Sequence, residues 1–148
     1  MVTLADAFAS DDMKDAVDRV LGTEEPGPND DADLRALPID SLPIIAAIVE
    51  TAKHPGEYSR AIELLMIKLR QFDSELPELE KARYCRIIVA RCSVAPKRVL
   101  LANLETLRNL HRPEIVAFAN TLLKNSDSDI SAAAAHVLQA AESQKRAR

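Results

Sequence analysis

The chain has no tryptophan, and its aromatic residues are confined to Phe8, Tyr58, Phe72, Tyr84 and Phe118. Its three glycines, Gly22, Gly27 and Gly56, are scattered, and none opens the glycine-rich turn through which a backbone cradles phosphate. So few aromatics and glycines among many leucines and alanines favour helices over sheets. The two cysteines, Cys85 and Cys92, stand seven apart, on one helix face but about 10 Å from each other at a rise of roughly 1.5 Å per residue. That is too far for a disulfide, and they are expected to be buried thiols in a reducing compartment. No Cys-x-x-Cys or His-Glu-x-x-His spacing is present, so no metal or other cofactor is expected. His54 falls in a turn, His111 precedes a proline and His136 lies on a polar helix face, which marks all three as surface or capping residues. No apolar run approaches the roughly 20 residues of a membrane span, and the first residues lack the basic flank and apolar core of a signal peptide. The expectation is a cytoplasmic protein without a membrane partner.

What is present is aliphatic. Hydrophobic residues make up 47% of 148, enough for one domain that buries on the order of two thirds of its unfolded surface. The densest stretch, Ala61 to Leu69, is apolar at seven of nine positions. At 100° per residue Ile62, Leu65, Met66, Leu69 and Phe72 form one stripe while Leu64 and Ile67 project elsewhere, which predicts a central helix covered by several neighbours.

Three regions follow from composition: an N-terminal helical arm over 1–22, an acidic linker over 23–39 and a helical domain over 40–148. Ser10 is the expected cap of the arm helix, whose stripe is Met13, Val17, Val20 and Leu21. Thr23 to Asp33 has the acids, prolines and glycine of a linker. In the body, helices are predicted from Asp40 or Ser41 to Lys53, Glu57 to Phe72, Pro77 to Cys92, Lys97 to Leu110, Pro113 to Leu122 and Asp129 to Glu142. The Pro77 helix is expected to turn Leu79, Ala82, Cys85, Ile88, Val89 and Cys92 inward. Asn125-Ser126-Asp127-Ser128-Asp129 is expected to stop one helix and cap the last.

The openings Leu42-Pro43-Ile44-Ile45, Leu76-Pro77-Glu78-Leu79 and Arg112-Pro113-Glu114-Ile115 recur at spacings of 34 and 36 residues, each followed by a second helix. Three hairpins result, about 41–72, 77–110 and 113–143. The pattern resembles HEAT and armadillo repeats, most clearly from Pro113 to Glu142, where a proline-led helix, an Asp-rich turn and an alanine-rich helix follow one another. The first two hairpins have His54-Pro55-Gly56-Glu57 and Val94-Ala95-Pro96 in place of that turn. The resemblance implies an all-α, right-handed α-solenoid of stacked antiparallel hairpins; the alternative is a closed helical bundle. It also implies that outward residues of the second helices, Arg60, Glu63, Gln71, Arg98, Glu105, Asn109, His136 and Gln139, meet a partner.

Charge is unevenly distributed. Residues 1–50 balance to -9 and residues 51–148 to +5. Between Lys81 and Arg112 the bases Lys81, Arg83, Arg86, Arg91, Lys97, Arg98, Arg108 and Arg112 face Glu105 alone, a local charge of +7. Such a cluster suits an acidic protein, a phosphate backbone, or the chain's own segment Glu24 to Asp33. Tyr84 is the one aromatic among these bases, too little for the stacking that nucleic-acid readers use. No nucleophile and base, and no carboxylate pair, is spaced for catalysis. The function expected is therefore that of a non-enzymatic protein-protein interaction module, an adaptor, effector or regulatory subunit. Arg83, Arg86 and Arg108 join the outward set as candidate contacts. A nucleic-acid-binding helical domain and a self-associating structural subunit are the alternatives.

Overall fold

The computed structural model describes residues 13–15, 17, 18, 21 and 36–146, and proline stands at the opening of five of the six α-helices between Leu42 and Arg146. A first-turn N–H has no intrahelical acceptor, so proline loses nothing there and its fixed φ favours the helix. The helices are α1 (Leu42–Thr51), α2 (Pro55–Gln71), α3 (Glu78–Ser93), α4 (Lys97–Leu107), α5 (Pro113–Leu122) and α6 (Ser128–Arg146). A 3-10 turn, Ile39–Ser41, leads into α1. No strand occurs among the described residues, and none of their helices is long and apolar enough to cross a membrane. The Ser10 cap and the acidic segment Glu24 to Asp33 lie outside the described residues, as does most of the expected arm. Val17 and Leu21 are described, and both are buried with the core.

Helices pack in a regular order. α1 lies against α2, α3 against α4 and α5 against α6; in addition α1 touches α3, α3 touches α5, α2 touches α4 and α4 touches α6. Central α2 buries Tyr58, Ala61, Ile62, Leu64, Leu65, Met66 and Leu69, around most of its circumference, because α1, α3 and α4 all cover it. Each such fully buried aliphatic side chain contributes about 1.5–3 kcal/mol relative to exposure. Lys68 is buried among them. Its ammonium donates to Leu37 O at 2.7 Å and Gln71 Oε1 at 2.9 Å and lies 5.5 Å over the Phe72 ring, and burial lowers its pKa.

Local chemistry sets the ends. Ser41 does not cap α1: its hydroxyl donates back to Pro38 O at 2.6 Å because the 3-10 turn already places it in helical geometry. Asp127 caps α6, with Oδ1 accepting the N–H groups of Asp129 at 2.9 Å and Ile130 at 3.3 Å. Leu79, expected inside, is 84% exposed; the buried face of α3 is Lys81, Tyr84, Cys85, Ile88 and Cys92. Tyr84 and Lys81 have displaced it, the lysine by folding its stem inward while its ammonium reaches Asp73 at 3.1 Å and Glu78 at 2.9 Å.

Candidate functional site

The eight bases from Lys81 to Arg112 do not form one patch. Lys81 pairs with Asp73 and Glu78, Lys97 with Asp127 at 2.8 Å and Asp129 at 3.0 Å, Arg108 with Glu105 at 2.9 Å, and Arg112 with Glu78 at 2.9 Å and Glu114 at 3.3 Å. All but one of these acids lie outside the 81–112 window, so the fold supplies the counter-charge. Hydrogen bonds from Lys81 and Arg112 hold the Glu78 carboxyl below the usual carboxylate range, while Glu78 and Asp73 raise the Lys81 pKa. Arg91 is held differently. It donates to Glu50 O at 3.3 Å and to Ala52 O, and its guanidinium carbon sits 4.1 Å from the centre of the Tyr58 ring.

Arg83, Arg86 and Arg98 remain, exposed and without a carboxylate partner among the described residues. The Arg83 guanidinium carbon lies over the ring of the buried Tyr84, 5.3 Å from its centre. Arg83 and Arg86 line a shallow groove of about 420 Å³ with Ile87, Ala90, Arg91, Val94 and Glu50, so α3 and the end of α1 bring them together. Val94 is 76% exposed, and with Leu79 it places two of the most exposed large apolar side chains on the same helix and the turn that follows it. Sequence periodicity missed Leu79 as a surface residue; the signal was its position at the helix start, directly between the acids Glu78 and Glu80.

The other expected contacts are placed as follows. Arg60 and Glu63 are exposed on α2, Arg98 on α4, and His136 and Gln139 on α6. Gln71 accepts a hydrogen bond from Lys68, and Glu105 is occupied by Arg108. Asn109 lines a separate cleft of about 410 Å³ with Arg70, Asp73, Lys81, Cys85, His111 and Arg112. A further groove of about 680 Å³ runs between α5 and α6 beside Val116, Ala117, Leu138 and Ala141. His54, His111 and His136 are all exposed.

Both thiols are free and fully buried. Burial pushes Cys85 up to about 11 and Cys92 up to about 12, with the neighbouring Asn103 side chain opposing the latter shift. A thiol that holds its proton so firmly is a packing group in the native fold and a poor nucleophile. Asn103 also accepts from the Ser59 hydroxyl at 3.1 Å and so ties α4 to α2. Among the described residues no three His, Cys, Asp or Glu side chains gather as a metal site.

No protein-family model matches the chain, and neither curated proteins nor solved structures give a match.

Proposed function

We propose that the chain is a non-enzymatic protein-protein interaction module of the adaptor or regulatory kind, cytoplasmic, built as a stack of three helical hairpins behind an N-terminal arm. The order of packing supports the stack: first helices lie on first helices, second on second, and no extensive contact joins α1 or α2 to α5 or α6 among the described residues. A closed bundle would bring the outer pairs together. In this arrangement the sides of each helix are covered by neighbours while its outward face stays open to a partner.

The observation that carries the binding role is the exposed face of α3, where Leu79 and Val94 stand uncovered beside two unpaired arginines. Single exposed aliphatic side chains are ordinary on a protein surface, but here two share one helix face with two exposed arginines between them, and arginine is among the residues that anchor interfaces. Nucleic acid is the weaker reading, because five of the eight bases are engaged within the fold and the one aromatic among them, Tyr84, is buried.

Affinity capture with the full chain, followed by rebuilding the complex from purified components, tests the reading. The expected result is a complex of fixed stoichiometry in size-exclusion chromatography with light scattering. Components that stay separate at micromolar concentration would remove the proposal.

A further inference from the structure

We infer that the outer face of α3 receives an acidic amphipathic helix from a partner protein, whose apolar side chains cover Leu79 and Val94 and whose carboxylates meet Arg83 and Arg86. This inference rests on the reading of the chain as a protein-binding module and specifies what it binds.

At 100° per residue, Arg86, Leu79, Ala90, Arg83, Val94 and Ile87 fall within an arc of about 100°. All six are exposed or half-buried. The buried side chains Lys81, Tyr84, Cys85, Ile88 and Cys92 occupy the opposite side. Leu79 and Val94 are separated by about 22 Å along the axis, four helical turns. The surface thus has an apolar end, a cationic middle, and a second apolar end that opens into the groove beside Ile87 and Ala90. A helix laid along it presents side chains at the matching period, so apolar residues at its two ends and Asp or Glu between them complement the whole strip.

Charge decides the class of occupant. Covering Arg83 and Arg86 removes them from water, and a guanidinium so treated needs a carboxylate, which it takes in bidentate geometry. A phosphate backbone supplies negative charge but nothing apolar for Leu79, Ile87 and Val94. A second copy meeting this face about a two-fold axis sets arginine against arginine. The chain's own segment Thr23 to Asp33 is acidic, but apart from its prolines it offers only Ala32 to the apolar ends.

The test is selection of 18-residue helical peptides from a displayed library on the immobilised full chain, with the Arg83→Glu/Arg86→Glu variant as counter-selection. Enriched peptides are expected to carry acids between apolar residues. A synthetic consensus peptide should shift the amide resonances of residues 79–94, a mapping that needs no variant. It should bind at least about tenfold more weakly to the double arginine variant and to Leu79→Ser/Val94→Ser, both retaining the native circular dichroism. No enrichment over the counter-selection, shifts centred elsewhere, or unchanged affinity for the variants would overturn the inference. So would displacement of the peptide by generic duplex DNA in a strongly salt-dependent manner, which marks a phosphate site. Peptide binding only after Glu24, Glu25, Asp30, Asp31 and Asp33 are changed to amides would assign the face to the chain's own segment. If the partner from affinity capture binds Arg83→Glu/Arg86→Glu as well as the native chain, the module reading stands and this face is the wrong one.

Discussion

Asp127 joins a cap to a crosslink. One carboxylate oxygen accepts the N–H groups of Asp129 and Ile130 at the start of α6, and the other lies 2.8 Å from Lys97 Nζ on α4. The hydrogen bond from Lys97, aided by the two backbone donors, holds its carboxyl below the ordinary value of 3.8. A folded-state pKa that is depressed means the unfolded chain binds the proton more readily. The contribution is therefore complete above the ordinary carboxylate value and is lost as pH falls through the folded one. Asp127→Ala is expected to lower the melting temperature at pH 7 by roughly 2–6 °C. The gap between variant and native protein should close as pH is taken from 4 towards 2 by about the same amount. Thermal melts followed by circular dichroism across that range measure both, and equal melting at pH 7 would deny the cap any role. Lys97 carries the opposite sign: its raised pKa makes its share of the pair persist until pH rises above the ordinary lysine value of 10.5.

At the scale of one element, α3 shows how tertiary partners rotate a helix away from its apolar pattern. Ile88 is fully buried and Leu79 is 84% exposed on the same sixteen residues. Ile88→Ala should therefore cost about 2–5 kcal/mol in urea unfolding, through lost burial and the cavity left behind. Leu79→Ala should stay within about 0.5 kcal/mol. A reversed order would return α3 to the orientation its hydrophobic stripe predicts. That stripe was legible where apolar residues alone decide the packing, as in Ala61 to Leu69, whose nearly all-round burial follows from its composition. Proline openings and the Asp-rich cap were legible for the same reason, since both act within a few residues along the chain. In α3 the deciding groups were Tyr84, a large side chain drawn inward, and Lys81, whose ammonium finds Asp73 across the preceding turn. The apparent charge of the 81–112 window was misleading on similar grounds. Asp73, Glu78, Glu114, Asp127 and Asp129 neutralise it from outside, and only folding brings them near. Of the candidate site, the arginine pair was visible in the sequence, whereas its apolar neighbours became visible only with the burial of the other side.

Across the described residues, the helices are joined through a few polar ties laid over one apolar core. Arg112 bridges α3 and α5 through Glu78 and Glu114, Ser59 and Asn103 join α2 to α4, and Lys97 joins α4 to the start of α6. Arg91 differs in reaching backbone: from α3 it satisfies the carbonyls of Glu50 and Ala52 at the C-terminal end of α1 while stacking on Tyr58 of α2. Those carbonyls are among the last of α1 and its cap, where no intrahelical donor remains, so the guanidinium completes that helix end from α3. Removing it leaves partly covered acceptors and an uncovered tyrosine face, and lysine reproduces neither the spread of the guanidinium fork nor its flat stack on the ring. Arg91→Ala is expected to destabilise the protein by about 1–3 kcal/mol. The loss should also be local: hydrogen exchange of residues 48–58 should accelerate well before that of α5 and α6, which Arg91 does not touch. Arg91→Lys should recover less than half of the lost protection. Exchange followed by mass spectrometry on the native chain and both variants distinguishes the outcomes. Uniform acceleration over 36–146 would mean that the helices open as one unit, with Arg91 contributing to global stability and not to a particular junction.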